Sequence, residues 1–256
     1  MKPVFQAAML AWLCLAFSTP ADAQLSDPVT YIAYLGADDI EKSNALWEKA
    51  VGEKQAAFDN DPRNNTLRWN LALSQYGLLG GTMRTKDEDR FDKYYEQAKD
   101  HLETLEKDGN FRAEAKALLS GLYGMKMAYD PMMGMVLGPK SSGLIEDAIK
   151  LAPDSPVTWK IQGNSKMFTP SMFGGDVGEA VKAYEKAVGF FEKQPSMLVN
   201  NWLYLDTMIF LGQAYSSQSQ WAKAVSIYEK ALKHDPNANW VKYQLLPAAK
   251  QKALGK

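Results

Sequence analysis

The last quarter of the chain contains two amphipathic helical patterns joined by a short turn, in the stretch FLGQAYSSQSQWAKAVSIYEKALKHDP. Gly212 and Ala224 place small side chains where two helices would approach closely. Tyr215 and Tyr228 supply aromatic rings that would fill the space between those helices. One such helix pair cannot bury its apolar face alone, so further pairs must stack against it. The pattern therefore predicts a stack of helix pairs.

The residues that carry this pattern are Leu211, Gly212, Tyr215, Ala224, Tyr228, Ala231 and Pro236, with Met208 at a position that prefers Trp. They match the signature of the tetratricopeptide repeat, a helix–turn–helix unit of about 34 residues. The chain thus resembles the tetratricopeptide family. The resemblance implies an all-α solenoid of antiparallel helix pairs in a right-handed superhelix, with the first helices lining a concave groove that binds partners.

The same spacing can be followed back along the chain. Strand patterns are nearly absent, and apolar residues recur at helical spacing. About four repeats are predicted, the last spanning roughly 205–238. A leading helix is expected at 38–61, where Asp38 opens a capping-box pattern, and a C-terminal capping helix at 239–253. We expect residues 24–256 to form a single helical-repeat domain.

Residues 1–23 have the features of a secretory signal peptide. A positive start precedes a short apolar run, Val4–Phe17, and a small-x-small cleavage signal, Ala21–Ala23. The alternative is a lipoprotein signal ending at Cys14, but a leucine precedes that cysteine where a small residue is required. Cleavage after Ala23 is expected to release a soluble, exported protein without cysteine, periplasmic in a bacterium with two membranes.

Three predicted repeats carry extra residues between their two helices, around 80–83, 129–139 and 168–175. Insertions at one position of a repeat project from one edge of the stack, which is often the binding edge. The second and third segments combine Met and Phe with Pro and Gly, and so join adaptable apolar surface to fixed turns. A satellite core and an exposed binding edge both stay open as interpretations. The candidate binding residues are Met132, Met133, Met135, Phe168, Met172 and Phe173.

Polar side chains are predicted along the groove. Lys160 and Asn164 lie one helical turn apart and resemble half of the Lys/Asn pair with which some tetratricopeptide domains hold a peptide's terminal carboxylate. The matching face of the next repeat carries Asp206 and Ile209 instead of basic residues, so a complete clamp is not expected. A groove suited to hydrogen bonding is predicted, with a solvated polar face as the alternative. The candidate groove residues are Asn70, Ser74, Lys160, Asn164 and Gln213.

Charge and motifs argue against several classes of function. The formal net charge is -1, which gives no electrostatic footprint for nucleic acid or an anionic membrane. No apolar run after the leader approaches membrane-spanning length. Metalloprotease, nucleophile-elbow and phosphate-loop motifs do not occur. We therefore expect neither an enzyme nor a bound cofactor.

The expected function is that of an exported scaffold that binds a protein or peptide through its groove and its Met- and Phe-rich segments. Two alternatives belong to other classes. The same segments would close over a small apolar ligand in an accessory protein of an uptake system. The five methionines of Met125–Met135 would offer thioether ligands to Cu(I), although both histidines lie far away in sequence.

Overall fold

The computed structural model describes residues 25–36 and 40–255. The predicted leader and the predicted helix start at Asp38 lie outside these residues. All regular structure in the described ranges is helical, as the fold class predicted. Among the described helices, none combines the length and the apolar content needed to cross a bilayer.

Eleven α-helices are found in the described part of the chain. Their bounds are α1 Pro28–Leu35, α2 Ile40–Asn60, α3 Asn65–Thr85, α4 Glu88–Leu105, α5 Arg112–Tyr129, α6 Gly134–Leu151, α7 Pro156–Phe168, α8 Val177–Glu192, α9 Trp202–Ser217, α10 Trp221–His234 and α11 Leu246–Ala253. Short 3-10 turns occur at Pro131–Met133, Ser171–Phe173 and Pro195–Met197, and a π-helical segment at Val241–Leu245.

Four helix pairs form the body of the molecule: α3/α4, α5/α6, α7/α8 and α9/α10. Helix α2 packs against α3 at one end of the stack, and the segment from Val241 to Ala253 packs against α10 at the other. Helix α1 was not predicted, because eight residues are too few to display a clear period. Its local signals are Asp27, whose side chain accepts the backbone N–H of Val29, and Pro28 at the first helical position.

In two of the pairs, α7/α8 and α9/α10, an aromatic ring of the second helix lies against a glycine of the first. A Cβ atom added to Gly212 would lie 2.2 Å from Cε1 of Tyr228, and one added to Gly163 would lie 2.4 Å from Cε1 of Tyr184. No side chain fits at those distances, so the repeat signature reflects a close approach that only glycine permits.

Two of the three predicted insertions, around 80–83 and 129–139, are mostly helical, so the extra residues lengthen the helices instead of separating them. Helix α3 continues through Gly80 and Gly81 because Leu78, Leu79 and Thr82 around them are buried. That burial outweighs the cost of glycine in a helix, about 1 kcal/mol per residue. In the second segment α5 reaches Tyr129 and α6 begins at Gly134, which leaves a single turn between them.

The first and last repeats meet through α1. The N–H of Asp27 donates to the carbonyl of Asn200 at 3.0 Å, and the Tyr31 hydroxyl donates to Oδ2 of Asp235 at 2.8 Å. The indoles of Trp47 in α2 and Trp202 in α9 meet edge to face, with ring centroids 5.5 Å apart.

This closure leaves two of the first helices, α3 and α9, buried on all sides over part of their length. Every residue of 71–79 in α3 and of 202–209 in α9 is buried. A helix at the surface of a globular protein buries only one stripe, so burial over two full turns requires cover on the inner side as well. The inner sides of α3 and α9, expected to face the groove, are therefore covered by the chain itself.

We predict that Gly212→Ala lowers the free energy of unfolding by about 1–3 kcal/mol, because the Tyr228 ring must move away from the new methyl group. Gly189→Ala is the matched control, since a Cβ on this exposed helical glycine meets nothing within 4 Å. The control should be neutral or more stable by about 0.5–1 kcal/mol. Urea unfolding measures both, and equal effects of the two substitutions would contradict the explanation.

Acid is predicted to weaken the fold through His101. Arg68 Nη1 donates to Nδ1 of this ring at 3.3 Å, and Phe58 packs edge to face against it. Burial, reinforced by the Arg68 charge, lowers the pKa of His101. The unfolded chain therefore takes up the proton first, near pH 6.5, and stability falls as the pH drops from there toward the folded pKa.

The contribution of one histidine to this pH dependence reaches about 1.4 kcal/mol per pH unit. His101→Gln keeps an acceptor for Arg68 but removes the titration. Its free energy of unfolding should therefore depend less steeply on pH between about 7 and 5 than that of the unsubstituted protein. Parallel pH profiles of the two proteins, measured by urea unfolding, would exclude a role for His101.

Candidate partner-binding surfaces

Lys160, the basic residue predicted for the groove, is satisfied inside the protein. Its ammonium lies 2.7 Å from Oδ2 of Asp206, and the residue is 2% exposed. The pair joins α7 of the third repeat to α9 of the fourth. A buried lysine that is held by a buried carboxylate is not available to a peptide's terminal carboxylate. Lys160 and Asn164 therefore do not form the half of a carboxylate clamp that their spacing resembles.

Three tyrosines surround this ion pair with hydroxyl groups. The Tyr34 hydroxyl in α1 donates to Oδ1 of Asp206 at 2.9 Å, and the Tyr184 hydroxyl donates to Oδ1 of Asn164 at 2.8 Å. Burial raises the pKa of Tyr34, Tyr76 and Tyr184, and the charge of Asp206 raises each further. The phenols therefore stay protonated near neutral pH. Tyr34 and Tyr184 act as donors, whereas the buried Tyr76 hydroxyl has no hydrogen-bond partner among the described residues.

The remaining groove candidates divide between buried and partly exposed positions. Ser74 is 1% exposed, and its hydroxyl donates to the backbone carbonyl of Asn70 at 2.8 Å. Asn70, Asn164 and Gln213 keep partial exposure. The sequence placed these residues on the correct helices, but it gave no sign that α1 and the last repeat cover much of the inner side.

The Met- and Phe-rich segments present apolar side chains to solvent. Met132 and Met135 are 88% and 91% exposed beside the α5–α6 turn, and Met172 and Phe173 are 81% and 73% exposed in the α7–α8 turn. Phe168 is also exposed, and so is Val136, which the sequence did not single out. Turns at the same place in consecutive repeats lie along the same edge of a stack, so we call these six residues the apolar edge.

Hydrogen bonds fix the backbone beneath the first part of the edge. The Met132 N–H donates to Oδ1 of Asp130 at 3.1 Å. The Tyr129 hydroxyl donates to the carbonyl of Thr82 at 2.8 Å, and its ring packs on Phe91 with centroids 4.6 Å apart. The exposed side chains of this turn therefore stand on a backbone anchored to the preceding repeat.

The second part of the edge is held in a similar way. Asp176 caps α8 by accepting the N–H of Glu179 at 3.0 Å, and the Lys166 ammonium donates to the carbonyl of Gly174 at 3.0 Å. Gly174 has a φ of 93°, a conformation that favours glycine. The Phe168 ring meets Phe210 of the next repeat edge to face at 5.5 Å.

The methionines are divided between two environments. Met125, Met127 and Met133 are partly buried and pack against the core, whereas Met132 and Met135 are exposed. Each interpretation of the segment therefore applies to part of it. The partly buried methionines belong to a satellite core, and the exposed ones form free surface. A shared soft-metal site would instead require their sulfur atoms to converge.

A shallow cleft of about 430 Å³ lies between α7 and α8. Its lining mixes Trp159 with charged side chains that include Glu179, Lys182 and Glu185, and the Lys186 ammonium lies 3.7 Å from the centroid of the indole. Such a lining differs from the enclosed apolar pocket that a small apolar ligand would need.

Lys160→Met is predicted to lower the free energy of unfolding by about 3–5 kcal/mol, because Asp206 would keep a buried charge without its ion-pair partner. Adding Asp206→Asn removes that charge and keeps an acceptor for Tyr34. The double variant should therefore lose less stability than the sum of the two single variants. Additive effects in urea unfolding would contradict the coupling.

Comparisons with known proteins agree with this architecture. A family model of the tetratricopeptide repeat matches residues 207–239, and no curated protein sequence matches the chain. TTC0263, a thermophilic TPR protein of Thermus thermophilus, is 15% identical with a TM-score of 0.51, over 89% of this chain and 97% of its own.

Two further structures match over most of this chain. The HusA haemophore from Porphyromonas gingivalis is 18% identical with a TM-score of 0.51, over 74% of this chain and 92% of its own. BtubC (BKLC) from P. vanneervenii is 19% identical with a TM-score of 0.47, over 84% of each chain. The family match thus identifies a tetratricopeptide repeat at residues 207–239, and its glycine–aromatic contact recurs in the α7/α8 pair of the same all-helical stack.

Proposed function

We propose that this protein is an exported scaffold that binds a protein or peptide partner of an envelope assembly through the apolar edge. The observation that carries the proposal is the exposure of Met132, Met135, Met172 and Phe173 on capped, hydrogen-bonded turns. Soluble proteins rarely leave several large apolar side chains this exposed along one edge without a use for them.

The energetics favour a contact at these side chains. Burying one Met or Phe side chain in an interface contributes about 1.5–3 kcal/mol. A few such anchors account for most of the binding free energy in typical interfaces. Because the supporting turns are already ordered, little backbone entropy is lost when the partner binds.

The proposal places the contact at the edge and not in the concave groove, because Ser74 and Lys160 are buried. Asn70, Asn164 and Gln213 would then contribute to the partner contact only at their exposed margins. Export is supported by the signal-peptide features of residues 1–23. Neutral overall charge fits a contact that is driven by apolar burial and weakly affected by salt.

A photo-reactive amino acid at Met135 or Phe173 should capture one and the same partner in the native envelope. Met135 is the better position in this segment because it is 91% exposed, whereas Met133 is partly buried. The matched control is Tyr243, which is 66% exposed on the C-terminal segment. Different adducts from the two edge positions, or the same adduct from Tyr243, would contradict a binding edge.

Met135→Ser and Phe173→Ser are each predicted to weaken binding of that partner by at least about tenfold, as loss of a buried anchor does. Tyr243→Ser should leave the affinity unchanged. Because all three side chains are exposed, the free energy of unfolding should change by less than about 0.5 kcal/mol. Calorimetric titration and urea unfolding measure the two effects separately.

The same variants test the small-ligand alternative. One structural neighbour is named a haemophore, so haemin is a suitable probe of a flat apolar ligand. Absorbance titration of the unsubstituted protein, repeated with Met135→Ser and Phe173→Ser, gives the comparison. If haemin binds saturably and both edge variants abolish that binding, the apolar edge is a site for a small apolar ligand and not for a protein partner.

A further inference from the structure

Helix α1 stands apart from the repeats, yet it lies on their inner side. It packs against α2. It also contacts α3, the first helix of the first pair, and α9, the first helix of the last pair. The ring of Tyr34 lies 5.9 Å from that of Trp202, and Leu25, Tyr31 and Ala33 are buried. In a stack of this family the inner side is where a partner helix would lie, and here α1 occupies it.

Two aromatic hydroxyls orient α1 on this surface. Tyr31 and Tyr34 are three residues apart, so they share one face of the helix. Their hydroxyls donate to two carboxylates, Asp235 at the end of α10 and Asp206 in α9, at 2.8 and 2.9 Å. Ile32 is 56% exposed and lies away from this contact.

Both carboxylates keep other partners when the tyrosines are removed. Asp206 is paired with Lys160 at 2.7 Å, and Oδ1 of Asp235 accepts the backbone N–H of Asn237 at 2.7 Å. Departure of α1 would therefore leave neither Asp206 nor Asp235 without a polar partner, so the most costly consequence of breaking a polar contact is avoided at these two carboxylates. The Lys54 ammonium, which lies 2.8 Å from Oδ2 of Asp27, would lose its partner. The two carboxylates of the docking surface thus keep polar partners without their occupant, whereas the Ser43 hydroxyl would lose its bond to the Ala33 carbonyl.

We propose that α1 is an intramolecular occupant of the groove that opens independently of the repeats, and that a helix of the same chemistry, with two aromatic hydroxyls one turn apart, can take its place. The mechanism is competition: α1 and the incoming helix use the same two carboxylates. This inference concerns the inner side and is independent of the proposed function of the apolar edge.

Hydrogen exchange in the full-length protein tests the opening of α1. Tyr31→Phe with Tyr34→Phe removes both hydroxyls and should speed exchange of α1 amides by roughly 100-fold, at about tenfold for each bond to a carboxylate. Amides of α9 and α10 should exchange at the unsubstituted rate, and Ile32→Ala is the matched control that should change neither. Equal acceleration in α1, α9 and α10 would mean that α1 unfolds only with the whole protein, and would overturn the proposal.

Competition is tested with a fluorescent peptide of residues 25–36, LSDPVTYIAYLG. The full-length double variant, whose own α1 is weakened, should bind this peptide up to roughly 100-fold more tightly than the unsubstituted protein does. A peptide with Phe at both tyrosine positions should not bind the double variant with this increased affinity. Equal affinities of the two peptides, or no binding to the double variant, would overturn the proposal.

Peptide binding at the inner side can be distinguished from binding at the apolar edge. Met135→Ser and Phe173→Ser lie outside the α1 contact, so these edge variants should bind the 25–36 peptide as the unsubstituted protein does. Loss of peptide binding in the edge variants would place the peptide on the apolar edge and overturn the groove assignment.

Discussion

The helix pairs depend on an aromatic ring lying against a glycine. Tyr184 against Gly163 and Tyr228 against Gly212 repeat this contact in two pairs, and Trp47 against Gly77 forms a related one between α2 and α3. The contact sets how closely two helices approach, and thereby the offset from one repeat to the next. The position of each interhelical turn along the edge follows from that offset.

Much of this arrangement could be predicted because it is local. Gly212, Ala224 and Tyr228 lie within one repeat, so their spacing alone indicates which side chains meet. Burial overrides local preference at Gly80 and Gly81, which have the composition of a turn but lie within α3. Tertiary packing supplies the free energy that the propensity of those residues lacks.

The candidate sites were harder to predict for a different reason. Turn residues beside apolar ones located the segments of Met135 and Phe173 in the sequence but left their exposure open, because the same signals fit a satellite core. The role of Lys160 could not, because its partner Asp206 comes from the next repeat and Tyr34 from a helix that shows no periodic pattern. Contacts across repeats depend on the curvature of the stack, which accumulates small offsets that residue spacing does not record.

Closure of the stack also has a consequence for how the chain folds. In an open solenoid each unit touches only its neighbours, so folding can begin anywhere and spread, and partly folded forms persist. Here the bonds from Tyr34 and Tyr31 join residues 172 and 204 positions apart along the chain. Contacts between such distant residues raise the contact order, and high contact order slows folding. The same contacts tie the ends together, so the terminal repeats of this protein should fray less than those of an open array.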